Sequence, residues 1–170
     1  MRTWTSGYSQ AELEGAQERY GIHFPPDVID LLLDRQPANG YNWSIEDHRI
    51  RAMLAWPLNA LLFDVQHGSW WRDWGERPRS AEECQQVVAD KVAAAPVLIP
   101  LYSHRFIPET PSVRGNPIFS MHGFDTIYYG SNLKNYFDRE FGDQREIEVG
   151  EIGRRIPFWS DLAEDHEGWL

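Results

Sequence analysis

The side chains best suited to chemistry are His104 and Arg105, with Asp125 and Tyr128 downstream. An imidazole, a guanidinium, a carboxylate and a phenol can move a proton or hold a phosphate once a fold brings them within about 3 Å of one reacting atom. Nothing in their spacing demands that convergence. The other reading makes His104 and Arg105 supports that bond loop carbonyls beneath a sheet. Histidines at 23, 48, 67, 104, 122 and 166 form no H-x-H, no H-E-x-x-H and no pairing with cysteine, so no zinc motif emerges. His122 and Asp125 stand three apart in a turn, and Asp64 and Asp73 lack the repeated D-x-D of a calcium or magnesium loop. Cys84 falls in the apolar stripe of a helix and reads as core rather than nucleophile. No glycine-rich loop joins a strand to a helix in the way that cradles phosphate. The residues therefore predict no catalytic group, no metal and no cofactor, and a protein that is not an enzyme.

Two other groups point to binding. Trp70, Trp71 and Trp74 sit in one short stretch of a chain with eight tryptophans. Helical spacing places Trp70 and Trp74 on one face and Trp71 elsewhere, so the cluster is either core under long loops or an interface anchor. The second group is acidic. The net charge is −10, and residues 138–170 hold ten acids against four bases. Such a field repels phosphate backbones and excludes nucleic acid as a partner. It serves solubility, or it draws in a basic protein through Glu146, Glu148, Glu151 and the later acids.

The elements that must position these groups come from caps and periodicity. Ser9 and Glu12 have capping-box spacing, Tyr8 and Leu13 staple spacing, and Gly21 ends that helix. Pro25-Pro26 starts a second helix through Val28, Ile29 and Leu31 to Leu33, apolar on most sides and expected to be buried, with Asn39-Gly40 turning it off. Trp56-Pro57 reads as opening a helix through Leu61, Leu62 and Phe63, and Ser69 as capping a short turn stopped by Gly75. Ser80 to Glu83 is another capping box, leading a helix that Pro96 ends. Residues 97–102 are β-rich and 104–117 read as loop. Ile118 to Met121 and Ile127 to Tyr129 are strands joined by the turn His122-Gly123-Phe124-Asp125. Ser131 or Asn132 then caps a helix carrying Leu133, Tyr136, Phe137 and Phe141. The chain alternates weakly at Ile147, Val149 and Ile152, and a terminal helix begins at Ser160.

The whole reads as one domain over residues 1–170. A single cysteine suits a reducing compartment, the polar start lacks a secretory segment, and the longest apolar run, Val92 to Tyr102, is eleven residues broken by two prolines. That is far short of the roughly 20 residues a membrane span needs. A cytoplasmic protein without a membrane partner is expected.

Several of these segments, taken in order, resemble the SUKH superfamily in its Smi/Knr branch, named after yeast cell-wall-synthesis regulators. The likeness begins at Ala11-Glu12-Leu13-Glu14 and runs through Tyr20-Gly21-Ile22, Phe24-Pro25-Pro26-Asp27 and Leu31-Leu32-Leu33 to Asn39-Gly40. It resumes at Asn116-Pro117-Ile118-Phe119-Ser120 and Asp125-Thr126-Ile127-Tyr128-Tyr129-Gly130, and closes with Leu133, Tyr136 and Glu140-Phe141. Leu98-Ile99-Pro100-Leu101 and Ile156-Pro157-Phe158-Trp159 look like bacterial members, whereas residues 42–95 depart most. The resemblance implies an α+β fold with a mixed, largely antiparallel sheet flanked by N-terminal, central and C-terminal helices. It also implies an immunity protein that binds a toxin of a bacterial polymorphic toxin system, often a nuclease, or alternatively a regulatory scaffold for housekeeping partners. It transfers no catalytic residues. The expected partner is a basic toxin domain, met by Glu146, Glu148 and Glu151 and by Trp70 or Trp71.

Overall fold

The computed structural model describes residues 3–143 and 146–165. It is an α+β protein of six helices and two antiparallel sheets, one of two strands and one of four. Every strand pairing among the described residues is antiparallel.

The N-terminal half is built largely by local signals. Helix α1 (Gln10–Tyr20) has the complete capping box at Ser9 and Glu12 and ends on Gly21 at φ 64°. Helix α2 (Pro26–Asp34) starts at the second proline of the pair. It spans the apolar run but ends at Asp34, ahead of the expected stop at Asn39-Gly40, and Leu33 is exposed. The chain then turns directly into a strand. Strand β1 (Trp4–Ser6) pairs with β2 (Arg35–Pro37), with Thr5 opposite Gln36. Arg-Gln-Pro has no β-branched or aromatic residue, so this strand exists because β1 lies beside it.

Helix α3 (His48–Gln66) corrects a second expectation. Pro57 does not open it but lies inside it, and Asp47 caps it by accepting the Arg49 N–H at 2.9 Å. An interior proline forfeits one backbone hydrogen bond. Here Ile50, Pro57, Ala60, Leu61 and Val65 are buried, and that packing outweighs the loss. A single 3-10 turn (Arg72–Trp74) follows, capped by Trp71 and not by Ser69, whose N–H goes to the Asp64 carbonyl. Helix α4 (Ala81–Ala94) begins at Ser80 as expected, with Cys84 and Val88 buried.

Strands β3 (Leu98–Tyr102), β4 (Arg105–Pro108), β5 (Ile118–Ser120) and β6 (Ile127–Gly130) form the main sheet in that order. Strand β4 lies within the segment read as loop. It is an inner strand, with Ile107 opposite Ile99 and Phe106 opposite Phe119. The prolines around it disguise it in sequence, but Pro108 stands at its end, where a missing donor is tolerated. Gly130 then lets α5 (Leu133–Phe141) approach, since a Cβ there would meet the Tyr136 backbone nitrogen at 2.9 Å. Asn132 caps α5 by accepting the Asn135 N–H. Residues 147–152 alternate in burial without becoming a strand, and α6 (Trp159–Glu164) closes the described chain.

Alternation along the strands sends side chains to two cores. Ile99, Ile107 and Ile118 join Leu13, Val28, Leu32 and Tyr136 on one face. Leu98, Phe106 and Phe119 join Trp71, Val88, Phe124 and Trp159 on the other. Helix α3 bridges them, with Ile50 in the first core and Leu61 and Val65 in the second.

Candidate functional site

The four residues that could have made an acid–base site are held apart by the sheet. Arg105 stands opposite Ser120, and Ser120 opposite Ile127, so these share a face while Tyr128 takes the opposite one. Arg105 donates to Ser120 Oγ at 2.8 Å, lies 3.6 Å from the Tyr129 ring centre and has its Nε 3.5 Å from a Glu140 carboxylate oxygen. At that distance the contact is an ion pair without a directed hydrogen bond. Tyr128 stacks on Phe119 and donates its hydroxyl to Glu164 at 2.7 Å. Burial, with the Glu164 carboxylate beside it, pushes this phenol up to about 12, so it stays a donor. His104 packs against His122, with ring centres 4.6 Å apart, and against Trp56. Burial, His122 and Arg105 together lower its pKa, which favours the neutral ring. Asp125 is exposed in the turn between β5 and β6. Cys84 is buried, its thiol 3.3 Å from the Pro78 carbonyl. Among the described residues no group of three or more His, Cys, Asp or Glu could hold a metal ion, and no helix is long and apolar enough to cross a membrane.

The tryptophan cluster divides. Trp71 is only 3% exposed and packs on Phe124, so it belongs to the core and offers a partner no surface. Trp70 and Trp74 are half-buried and meet edge to face at 5.2 Å. Trp70 donates its indole N–H to the Gly75 carbonyl at 2.8 Å. Trp74 lies parallel to Phe158, with centres 6.2 Å apart. Phe158 has φ 68°, and Trp159 N–H closes a three-residue turn onto the Pro157 carbonyl at 2.8 Å. A bulky side chain at positive φ is strained, and stacking on Trp74 together with an edge-to-face contact with Trp159 holds it there.

Glu146, Glu148 and Glu151 are all exposed, while Ile147, Val149 and Ile152 between them turn inward. Asn135 holds this ribbon on α5: its Nδ2 donates to the Glu148 carbonyl at 3.1 Å and its Oδ1 accepts from Gly150 N–H at 3.2 Å. Among the described residues none of the three carboxylates forms an ion pair. Two cations that follow in the chain, Arg154 and Arg155, are engaged elsewhere. Arg154 donates to Asn116 Oδ1 at 2.8 Å, and Arg155 binds Asp161 and Glu164. The His166 and Glu167 positions lie outside the described residues.

A further surface feature was hidden from the sequence. Between α3 and the β5–β6 turn opens a cavity of about 500 Å³, lined by Trp56, Asn59, Ala60, Phe63, Asp64 and His122. The sequence places Phe63 in an apolar run with Leu61 and Leu62, yet the structure leaves it 59% exposed. Only the helical phase relative to the sheet reveals that. Comparison with family models, curated proteins and solved structures finds no match to this chain.

Proposed function

We propose that this protein binds and occludes a basic protein partner, and that the partner is a toxin domain, with the chain acting as its immunity protein. One observation carries the reading: the ribbon of Glu146, Glu148 and Glu151, exposed, tied down by Asn135 and free of ion pairs among the described residues. Three exposed carboxylates follow one another along a short segment whose backbone Asn135 holds at Glu148 and Gly150. A nuclease presents Lys and Arg for phosphates, and the ribbon would occupy those side chains. The resemblance to the SUKH superfamily points the same way. An interface of about 1,600 Å² is sufficient for a stable complex.

Charge in such a complex governs encounter more than final affinity, with association raised roughly 10- to 1,000-fold at low salt. The test is a pull-down with the tagged chain at low and moderate salt, followed by association kinetics on the captured protein. One dominant basic partner is expected, with association slowed by salt and by the Glu146→Gln, Glu148→Gln, Glu151→Gln triple variant while dissociation changes little. A spread of weak housekeeping partners, or an association rate indifferent to salt, would sink the proposal.

A further inference from the structure

We infer that the cavity between α3 and the β5–β6 turn is a receptor for an arginine side chain of the protein partner; this rests on the reading that the partner is basic. Trp56, Asn59, Ala60 and Phe63 fall at i, i+3, i+4 and i+7 of α3, so they form one stripe along the helix. His122, from the turn between β5 and β6, completes the lining. Its parts are held before any partner arrives. The Trp56 indole N–H donates to the Met121 carbonyl at 2.8 Å, and the ring is backed by His104. Phe63 stacks on His67 with centres 4.1 Å apart. Asp64 Oδ2 accepts the Phe124 N–H at 2.9 Å. Gly123, at φ 66°, lets the turn come down on that carboxylate, for a Cβ there would overlap it.

The chemistry of the lining selects the occupant. Two aromatic rings favour a planar or apolar group, but a purely apolar group would strip water from the Asp64 carboxylate without replacing it. An anion would face the same carboxylate unfavourably. No lysine or arginine lines the cavity, so a cation meets no like charge from those side chains. Between cations, an ammonium is compact and strongly hydrated, whereas a guanidinium is planar, weakly hydrated, stacks on rings and presents donors to a carboxylate. Asn59 adds an amide oxygen that can accept a further guanidinium N–H. A second ring-lined cavity, of about 330 Å³ and lined by Trp74 and Phe158, lacks this balance, and a third, lined by Tyr41 and Tyr102, already carries Arg49. Lys91 already lines the second, and its Asp161 is engaged by Arg155.

The test is an NMR titration of the full chain with acetyl-Gly-Arg-Gly-amide and with the same peptide carrying lysine or citrulline, the neutral isostere of arginine. The arginine peptide is expected to shift the Trp56 indole N–H and the Phe124 amide saturably, and the citrulline peptide to bind at least about fivefold more weakly. Phe63→Ala and Asp64→Asn should each weaken the arginine peptide by a similar factor. Asparagine retains an oxygen for the Phe124 N–H, and Phe63 is exposed, so both variants should remain folded. No saturable shift, equal binding of citrulline and arginine, or shifts unchanged in both variants would overturn the inference. The peptide result stands apart from the pull-down. A captured partner that binds the Phe63→Ala chain as well as the parent would overturn the pocket and leave the glutamate ribbon standing.

Discussion

The two faces of the four-stranded sheet solve the same burial problem with different materials. On the face covered by α1, α2 and α5 the strands supply isoleucines, and the helices and loops above them supply rings such as Tyr20, Phe24, Trp43 and Tyr136, with a charged inclusion where Arg105, Glu140 and Tyr129 lie between the sheet and α5. On the face covered by α4, the tryptophan turn and α6 the strands themselves supply rings, Phe106 and Phe119, which meet Phe124, Trp71 and Trp159 together with the sulfur of Met121 and Cys84. Helices α1 and α5 on the first face and α4 on the second carry side-chain N-caps, whereas α2 starts on its proline pair and α6 has no side-chain cap and enters through the strained Phe158. Local signals thus start helices on both faces, but on the second face α6 and the strand-borne Phe106 and Phe119 also depend on large side chains finding one another. The second face should be the more cooperative and the less tolerant of truncation.

The largest test of that contrast is Phe119→Ala. Removing this fully buried, strand-borne ring from the second face is expected to cost about 3–5 kcal/mol, against about 2–5 kcal/mol for Leu13→Ala on the first face. Denaturant unfolding measures both, and a clearly larger loss for Leu13→Ala would reverse the ranking of the faces. Next comes the charged inclusion. The Arg105 and Glu140 side chains are 18% and 14% exposed, so Glu140→Leu leaves a mostly buried cation unpaired at a cost of about 3 kcal/mol. The double variant Arg105→Met, Glu140→Leu should recover most of that loss. If the single variant is neutral, the pair contributes only as a surface bridge would.

Asp47→Ala should cost about 1–2 kcal/mol, because it removes the α3 cap together with the bonds to Asn42 N–H and Arg49. Burial pushes this carboxyl up, but the Arg49 guanidinium and the two backbone N–H groups outweigh it and bring it to about 2, from an ordinary value of 3.8. Its contribution is therefore present above pH 3.8 and lost as pH falls through about 2. Acid titration of the parent and of Asp47→Ala should converge below that window.

The smallest effect is at His104. Its folded pKa is below the ordinary 6.5, so the unfolded chain takes the proton first and stability declines as pH drops below about 6.5. His104→Gln should flatten that limb while leaving stability at pH 8 nearly unchanged. A slope that persists in the variant would assign it to another group.

Much of the first face was legible because its signals are local. Ser9 with Glu12, Pro25-Pro26, and the capped α5 each place a helix through neighbours within four residues. The hairpin of β5 and β6 was equally readable from its turn chemistry. The misses share one cause. Strands β2 and β4 and the half of α3 that precedes Pro57 are stabilised by partners far along the chain, against weak or contrary local preference.

The same division runs through the candidate binding surfaces. Composition and alternation alone placed Glu146, Glu148 and Glu151 outward, since carboxylates between apolar residues stay in water whatever the fold. Tryptophan carries no such instruction. A large amphipathic ring gains from burial in a core or in an interface, so only tertiary packing could send Trp71 inward, leave Trp70 and Trp74 half-covered, and turn Phe63 out beside Asp64.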